Sequence, residues 1–472
     1  MFVCFLAASP DTAAAEGKRK MTPTQPRPSV VERIVVDQIW SAVSVGFCLL
    51  THGNDQYIAY YNAKRRMVVG QRRLSERSFR LTTLSSLSEA PPNGRGDSST
   101  VQGWDSHNSI TMTVDAAGHL HLSGNMHCNA LTYFRSRKPG DASTLEQVVA
   151  QVGTQEDRCT YPKFMNGPDG RLIFHYRDGS SGNGDEIYNI YDTRSQTWSR
   201  FLDKPLIAGL GQRNAYQVGP MRGPDGWYHL AWVWRETPDC ATNHDPSYAR
   251  SRDLIDWENA AGEALMLPIT IDNKGTLIDA VPVQGGIING GLKLGFDSAN
   301  KVVASYHKFD KAGNTQIYAA RFTGGKWVSR QVSEWDHRCE FSGGGALPSV
   351  GISVDAVKPH GKGKLSLSYG HEKYGGGLLI LNEKDLAPLG TEKKTPRIPP
   401  ELGELNSDFP EMRVNWTEDS GDNNDPSARY VLRWETLPPH RDRPRTGPLP
   451  EPGDLVLYKI KSQQSTARPS QH

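Results

Sequence analysis

Apolar and polar residues alternate along most of this chain in short runs, and its body contains no stretch with the 3.6-residue period of an amphipathic helix. The pattern is clearest when three segments are aligned on their turns: HNSITMTVDAAGHLHLSGNMH from His107, YPKFMNGPDGRLIFHYR from Tyr161, and QVGPMRGPDGWYHLAWVWR from Gln217. Each reads as a strand, a D-x-x-G or P-D-G turn, and a second strand. Alternation gives a strand one inward face, and the turn needs a side-chain acceptor followed by a residue tolerant of positive φ. Asp115, Asp169 and Asp225 mark these turns about 55 residues apart, close to the period of propeller blades. Weaker copies begin at Leu292 (LKLGFDSANKVVASYHKFD) and Val354 (VDAVKPHGKGKLSLSYGHE).

A further alternating pair follows the hairpins, as in EIYNIYDTRSQTWSRF from Glu186 and TQIYAARFTGGKWVSRQV from Thr315. Four strands per repeat is a blade pattern. YIAYYNAKRRMVVGQRRL from Tyr57 supplies a first unit, and RYVLRWETL from Arg429 with DLVLYKI from Asp454 supplies a last one. The prediction is an all-β chain forming a single seven-bladed β-propeller of four-stranded antiparallel blades over residues 34–462, closed by its terminal strands. Residues 1–33 are read as a weak signal peptide and flexible lead-in, and 463–472 as a disordered tail. A β-sandwich, the structural alternative, lacks the longer period. The 46 Gly, 31 Pro, 11 Trp and 17 Tyr suit many short strands joined by turns. Trp198 and Trp257 are assigned to packing between blades.

Charge changes the picture by exclusion. Lys+Arg 54 nearly balances Asp+Glu 52, so neither nucleic acid nor a membrane surface is expected as a partner, and any basic site must be local. No stretch approaches the ~20 apolar residues of a membrane span. The start, MFVCFLAASPDTAAAEG, has a short apolar run and a small-residue cleavage-like site but no positive n-region. A secreted or periplasmic monomer is expected. Six scattered cysteines without a CxxC pair count against a zinc ribbon, leaving buried thiols or a Cys128–Cys159 bridge between blades. The loop SGDNNDP from Ser420 offers oxygen ligands for a structural Ca²⁺, against the simpler reading of a solvated loop.

The alignment also gathers polar residues. His107, Tyr161 and Gln217 each lie eight positions before their turn Asp, and His127, Arg177, Arg235, His307 and His371 fall at similar distances after theirs. Equal offsets from an antiparallel turn bring residues to the same open end, and equivalent ends of successive blades surround one mouth. The result is a local site of His, Arg and Tyr suited to a carboxylate or sulfate. His244 and Tyr248, in NHDPSYARS, either join this cleft or cap a blade. Asp105 and Asp178 beside the motifs are read as turn caps.

Such a set fits β-elimination across a uronate, which requires neutralisation of the carboxylate, a base for the C5 proton and an acid for the leaving oxygen. Arg177 suits the first role through two parallel hydrogen bonds, His107 or His127 the second, and Tyr161 the third, or the second if Arg177 lowers its pKa. No metal or cofactor is required by this scheme.

At GWDSHN from Gly103, GHLHLSGNMH from Gly118, TYPKF from Thr160 and LIFHYRDG from Leu172, the chain resembles the BNR-repeat polysaccharide lyases, in particular ulvan lyases and lyases cutting between rhamnose and glucuronate. The resemblance implies a seven-bladed propeller whose His, His, Tyr, Arg active site maps onto His107, His127, Tyr161 and Arg177. Arg235, His244, Tyr248, His307 and His371 are then candidates for binding an acidic polysaccharide. A neighbouring branch resembles α-L-rhamnosidases that use a first-blade histidine on the opposite face, where His52 or Gln56 corresponds. A non-catalytic acidic-glycan-binding propeller is the third reading. Sialidases, which need an arginine triad and a Tyr/Glu pair, are matched only by degenerate echoes.

Overall fold

The computed structural model describes residues 28–87, 99–421, 425 and 427–462. They form antiparallel strands and short 3₁₀ turns, with no α-helix among the described residues and hence no helix able to cross a membrane. The strands make seven sheets in chain order, spanning 48–83, 110–147, 159–200, 214–265, 293–331 and 352–392, with the seventh formed by Arg413–Glu418, Ala428–Thr436, Gly453–Ser462 and the N-terminal Pro28–Ile39. Four of these sheets have the expected four strands, and the third, fourth and sixth have five. The third gains its extra strand by taking His127–Asn129 from the connection between two strands of the second.

The turns form as their sequences require. Asp115 Oδ1 accepts from the backbone N–H of Ala117 and His119, and Gly118 takes a φ of 88°. Asp169 and Asp225 accept from the N–H two residues on, at 3.0 and 3.1 Å.

Each sheet touches the next through side chains. Tyr61 OH donates to Asn108 O, Trp198 Nε1 to Tyr133 OH, Tyr188 OH to Gln217 Oε1, and Ser305 Oγ to Asp355 O. Tyr248 packs on Trp327 at 5.3 Å between the fourth and fifth sheets. The seventh sheet meets the first where Thr51 N–H donates to Asp419 Oδ1 at 2.7 Å and Ser44 Oγ to Asn415 Oδ1 at 3.0 Å. The apolar core lies between successive sheets, with Trp232 and Trp234 among its largest fully buried side chains and Trp198 and Trp257 buried as expected.

The expected start of the folded unit needs correction. The strand begins at Pro28, six residues before residue 34, and pairs along its length with Gly453–Ser462. Its charged residues suggested a lead-in, yet Glu32 pairs at 3.3 Å with Arg72, a fully buried side chain of the first sheet. The leader through residue 27, the tail from 463 and Asp422, Asn423 and Asn424 of SGDNNDP lie outside the described residues. None of the five described cysteines forms a disulfide; Cys128 and Cys159 occupy adjoining strands of one sheet rather than neighbouring blades.

Candidate functional site

The site begins with a hairpin that comes apart at its open end. Ile110 pairs with Gly124, and continuing that register would set His107 opposite His127. Both chains leave the ladder there. Asn125 and Cys128 take φ values of 58° and 59°, and His127 pairs instead with Thr160 of the third sheet. The two imidazoles nevertheless stack, with centroids 4.0 Å apart and planes at 28°.

One carboxylate holds both rings. His107 Nδ1 lies 2.8 Å from Asp105 Oδ1, and His127 Nδ1 lies 2.5 Å from Asp105 Oδ2. Burial works against ionisation of Asp105, but the hydrogen bonds from His107 and His127 outweigh it and hold the carboxyl far below its ordinary range. An ionised carboxylate only accepts, so both Nδ1 atoms carry protons and both Nε2 atoms are left for other chemistry. Asp442 Oδ2 lies 3.2 Å from the same His107 Nδ1.

The two histidines are driven in opposite directions. Burial opposes the charge on His107, yet Asp105 and Asp442 together push it up to about 9. His127 is lowered by burial first, with the neighbouring His107 and Arg177 acting in the same direction against Asp105. A protonated His107 therefore lies against a neutral His127. Titratable neighbours driven apart in this way mark a candidate functional site.

Tyr161 reaches the pair through a β-bulge. Thr160 pairs with Arg177 and Lys163 with His175, so one extra residue is inserted, and Tyr161 takes a φ of 57°. That conformation costs a bulky residue about 1–3 kcal/mol and re-aims its side chain. The Tyr161 ring lies 5.9 Å from His107 and 6.1 Å from Tyr216. Burial raises its pKa well above the ordinary phenol value, aided by Tyr216 and opposed by Arg177 and Arg235, so the hydroxyl stays protonated at neutral pH.

Arg177 stands behind this tyrosine. It has no solvent exposure, and its guanidinium lies 5.0 Å from the Tyr161 ring centroid and 5.8 Å from that of Tyr216. Its Nη2 donates to Thr160 Oγ1 at 3.0 Å, while Nε has no hydrogen-bond partner among the described residues. In this arrangement Tyr161 separates it from the cavity, so the expected two-bond grip on a substrate carboxylate is not open to it.

Two neighbouring cavities share His127 in their walls. The smaller, about 200 Å³, is lined by His107, His127, Tyr161, Tyr216 and Arg235. The larger, about 650 Å³, shares His127, Ser181 and Gly345 and is walled by Asp105, Arg441, Asp442 and Arg443.

Of the candidate binding residues, Arg235 joins the site, donating from Nη1 to Tyr216 OH at 3.3 Å. The others do not. His244 is buried between Glu236 at 2.8 Å and Asp245 at 3.2 Å. Tyr248 is a core residue bonded to His229 Nδ1 at 2.7 Å. His307 donates from Nδ1 to Gly286 O, and burial pushes it down to about 4. His371 is tied to the backbone N–H of Lys373 and packs on Trp335. Tyr248 sits mid-strand in the core, and around His307 and His371 the connections into the fifth and sixth sheets line the cavity instead, with Ile288, Gly345 and Val350.

Gln217 also misses the cavity, bonding to Tyr188 and His175. A register shift between Val218 and Met221 turns the preceding residues over, and Tyr216 faces the site instead. On the opposite face, Gln56 is buried and bonded to Thr51 and Arg72, while His52 is the exposed end of an otherwise buried hairpin strand. Asp178 is a half-buried strand residue paired with Cys159.

The sequence reading missed Asp105, taken for a turn cap, and Asp442. Asp105 does cap, accepting from His107 N–H at 2.8 Å, but it also carries both imidazoles. The placement of Asp105 two residues before His107 was the available signal; Asp442 lies 335 positions from His107 and gave none. The ligand atoms of Asp105, His107, His127 and Asp442 lie within 4.8 Å of one another and could hold a divalent ion, as could His337, Cys339 and Glu372 elsewhere.

Comparison with known proteins gives this geometry a context. A family model described as a BNR repeat-containing family member matches residues 55–335, more than half of the chain. The short-isoform ulvan lyase of Alteromonas sp. (strain LOR) is 28% identical over 165 residues, covering 28% of this chain and 30% of that protein. The long-isoform ulvan lyase of Pseudoalteromonas sp. (strain PLSV) is 46% identical over 121 residues, covering 24% of this chain and 12% of that protein. The chain thus spans less than a third of the length of these curated relatives. The crystal structure of the polysaccharide lyase Uly1 superposes with a TM-score of 0.61 at 14% identity, covering 92% of this chain and 100% of that one. An ulvan lyase bound to -[GlcA(1-4)Rha3S]- gives 0.57 at 13% identity, covering 92% and 96%. These structural likenesses carry the fold, and the family match carries the assignment: the protein belongs to the BNR repeat-containing family.

Proposed function

We propose that the seven sheets are the blades of one closed propeller and that the protein is a secreted polysaccharide lyase, cleaving a rhamnose–glucuronate polymer by β-elimination at the uronate. The observation that carries this reading is the His107–Asp105–His127 arrangement beside Tyr161, which sets a charged and a neutral imidazole and a protonated phenol around one small cavity.

Each group has one task. The Nε2–H of protonated His107 neutralises the uronate carboxylate, which acidifies the C5 proton. Neutral His127 takes that proton on Nε2. As the C4–C5 double bond forms, the C4–O bond breaks and Tyr161 donates its proton to the leaving oxygen. Arg177, behind the ring, stabilises the resulting tyrosinate. Transfer of the proton from His127 back to Tyr161 restores the starting state, so no external oxidant or reductant enters the balance.

Incubation with ulvan and with gum arabic, followed at the absorbance band of unsaturated uronates, tests the reading. The expected product carries a double bond at its new non-reducing end. Free rhamnose with a saturated glucuronate end would instead support the hydrolase, and tight binding with no product a lectin-like role.

A further inference from the structure

The loop 437–445 of the seventh sheet forms a strap whose residues 441–444 line the larger cavity. It is fixed at several points: Leu437 N–H donates to Ser41 O, Arg441 N–H to Ala346 O, and Asp442 accepts from the N–H of Ser106 and of Ala346. Arg441 and Asp442 both take left-handed φ values, 53° and 60°. Non-glycine residues hold that conformation only where their surroundings over-determine it. The strap is therefore set, and Asp442 couples it directly to His107 at 3.2 Å.

Two arginines flank that anchor. Arg441 and Arg443 are both exposed and both line the larger cavity with His127. The carboxylates in the same wall are already committed, Asp105 to two histidines and Asp442 to His107 and two backbone N–H groups. Arg441 Nη1 donates only to the carbonyls of Ser342 and Gly344, and Arg443 makes no side-chain hydrogen bond or ion pair among the described residues. Among the described residues, the cavity wall thus carries two arginines that no carboxylate pairs. A guanidinium in that state fits a planar carboxylate or a sulfate ester through paired N–H donors.

We infer that the strap arginines, Arg443 foremost, form an anion subsite that recognises a second acidic group, sulfate or carboxylate, on the sugar next to the uronate undergoing elimination. The inference rests on the lyase reading for the position of that uronate in the smaller cavity. It makes the larger cavity a specificity element rather than a passage.

Calorimetric binding of three oligosaccharides to the full chain and to Arg443→Ala tests it: rhamnose–glucuronate carrying sulfate, the same material desulfated, and an oligoglucuronate. Unsaturated product is measured in parallel on the same samples. The wild type should bind a doubly acidic ligand about tenfold or more tighter than the desulfated one, and Arg443→Ala should erase most of that preference. The arm that shows the preference distinguishes sulfate from carboxylate. Equal affinity for all three ligands, or a preference that survives Arg443→Ala intact, overturns the subsite. A preference that depends on Arg443 without unsaturated product from any ligand upholds the subsite and removes the lyase reading.

Discussion

The rings of His107 and His127 stack at 4.0 Å while donating their Nδ1 protons to different oxygens of Asp105. A single carboxylate cannot neutralise two imidazolium ions, and stacking makes a second charge repulsive. His107 takes the proton because Asp442 adds a second carboxylate on its side. The asymmetry is thus built by a residue from the last sheet acting on one from the approach to the second.

The pH profile follows from this asymmetry. His127 is held below its ordinary value of 6.5, so the base becomes available as pH rises through the range below 6.5, whereas His107 keeps its charge until about 9. The plot of kcat/KM against pH should be a bell with its alkaline limb near 9. Asp442→Asn should move that limb to lower pH, and an unmoved limb would remove Asp442 from the account.

The same shift predicts a stability change with a definite sign. The folded-state pKa of His107 is raised, so its contribution is fully present below the unfolded value near 6.5 and is lost as pH rises through about 9. Urea melts of wild type and His107→Gln should converge on going from pH 6 to pH 10. A stability gap that widens over that interval would contradict the sign.

Asp105→Asn replaces one of the two acceptor oxygens by an NH2 donor, so the side chain can no longer hold both imidazoles in their Nδ1–H form. Loss of correctly poised acid–base chemistry is worth about 10²–10⁴-fold, so kcat should fall by about 10²-fold or more, with the melting transition retained. Activity within a few-fold of wild type would return Asp105 to the turn-capping role alone.

Tyr161→Phe keeps the ring over Arg177 and deletes only the proton donor. Turnover should drop by about 10²–10⁴-fold, while the thermal midpoint stays close to that of wild type. Arg177→Ala should instead lower the midpoint, since it empties a fully buried site between Tyr161 and Tyr216. A Tyr161→Phe variant that unfolds, or one that turns over normally, would show the hydroxyl to be structural.

The Asp–Gly turns and the alternation around them made the hairpins legible in the sequence, because both signals are local. The convergence of His107 with His127 was legible for the same reason: it is hairpin register, and it holds even though the strands part before reaching it. Where the expectations failed, a non-local event intervened. A bulge exchanged Tyr216 for Gln217, and the connections entering the fifth and sixth sheets line the cavity with Ile288 and Val350 where His307 and His371 were expected. The tether from Asp442 to His107 depends on the first and last sheets meeting, which no window of sequence contains.

The most direct test of the central claim is the product formed from a rhamnose–glucuronate polysaccharide by wild type, His127→Ala and Tyr161→Phe. An unsaturated uronate end is expected with wild type, and its near-complete loss in both variants. A saturated glucuronate end, or unsaturated product undiminished in His127→Ala, would contradict it.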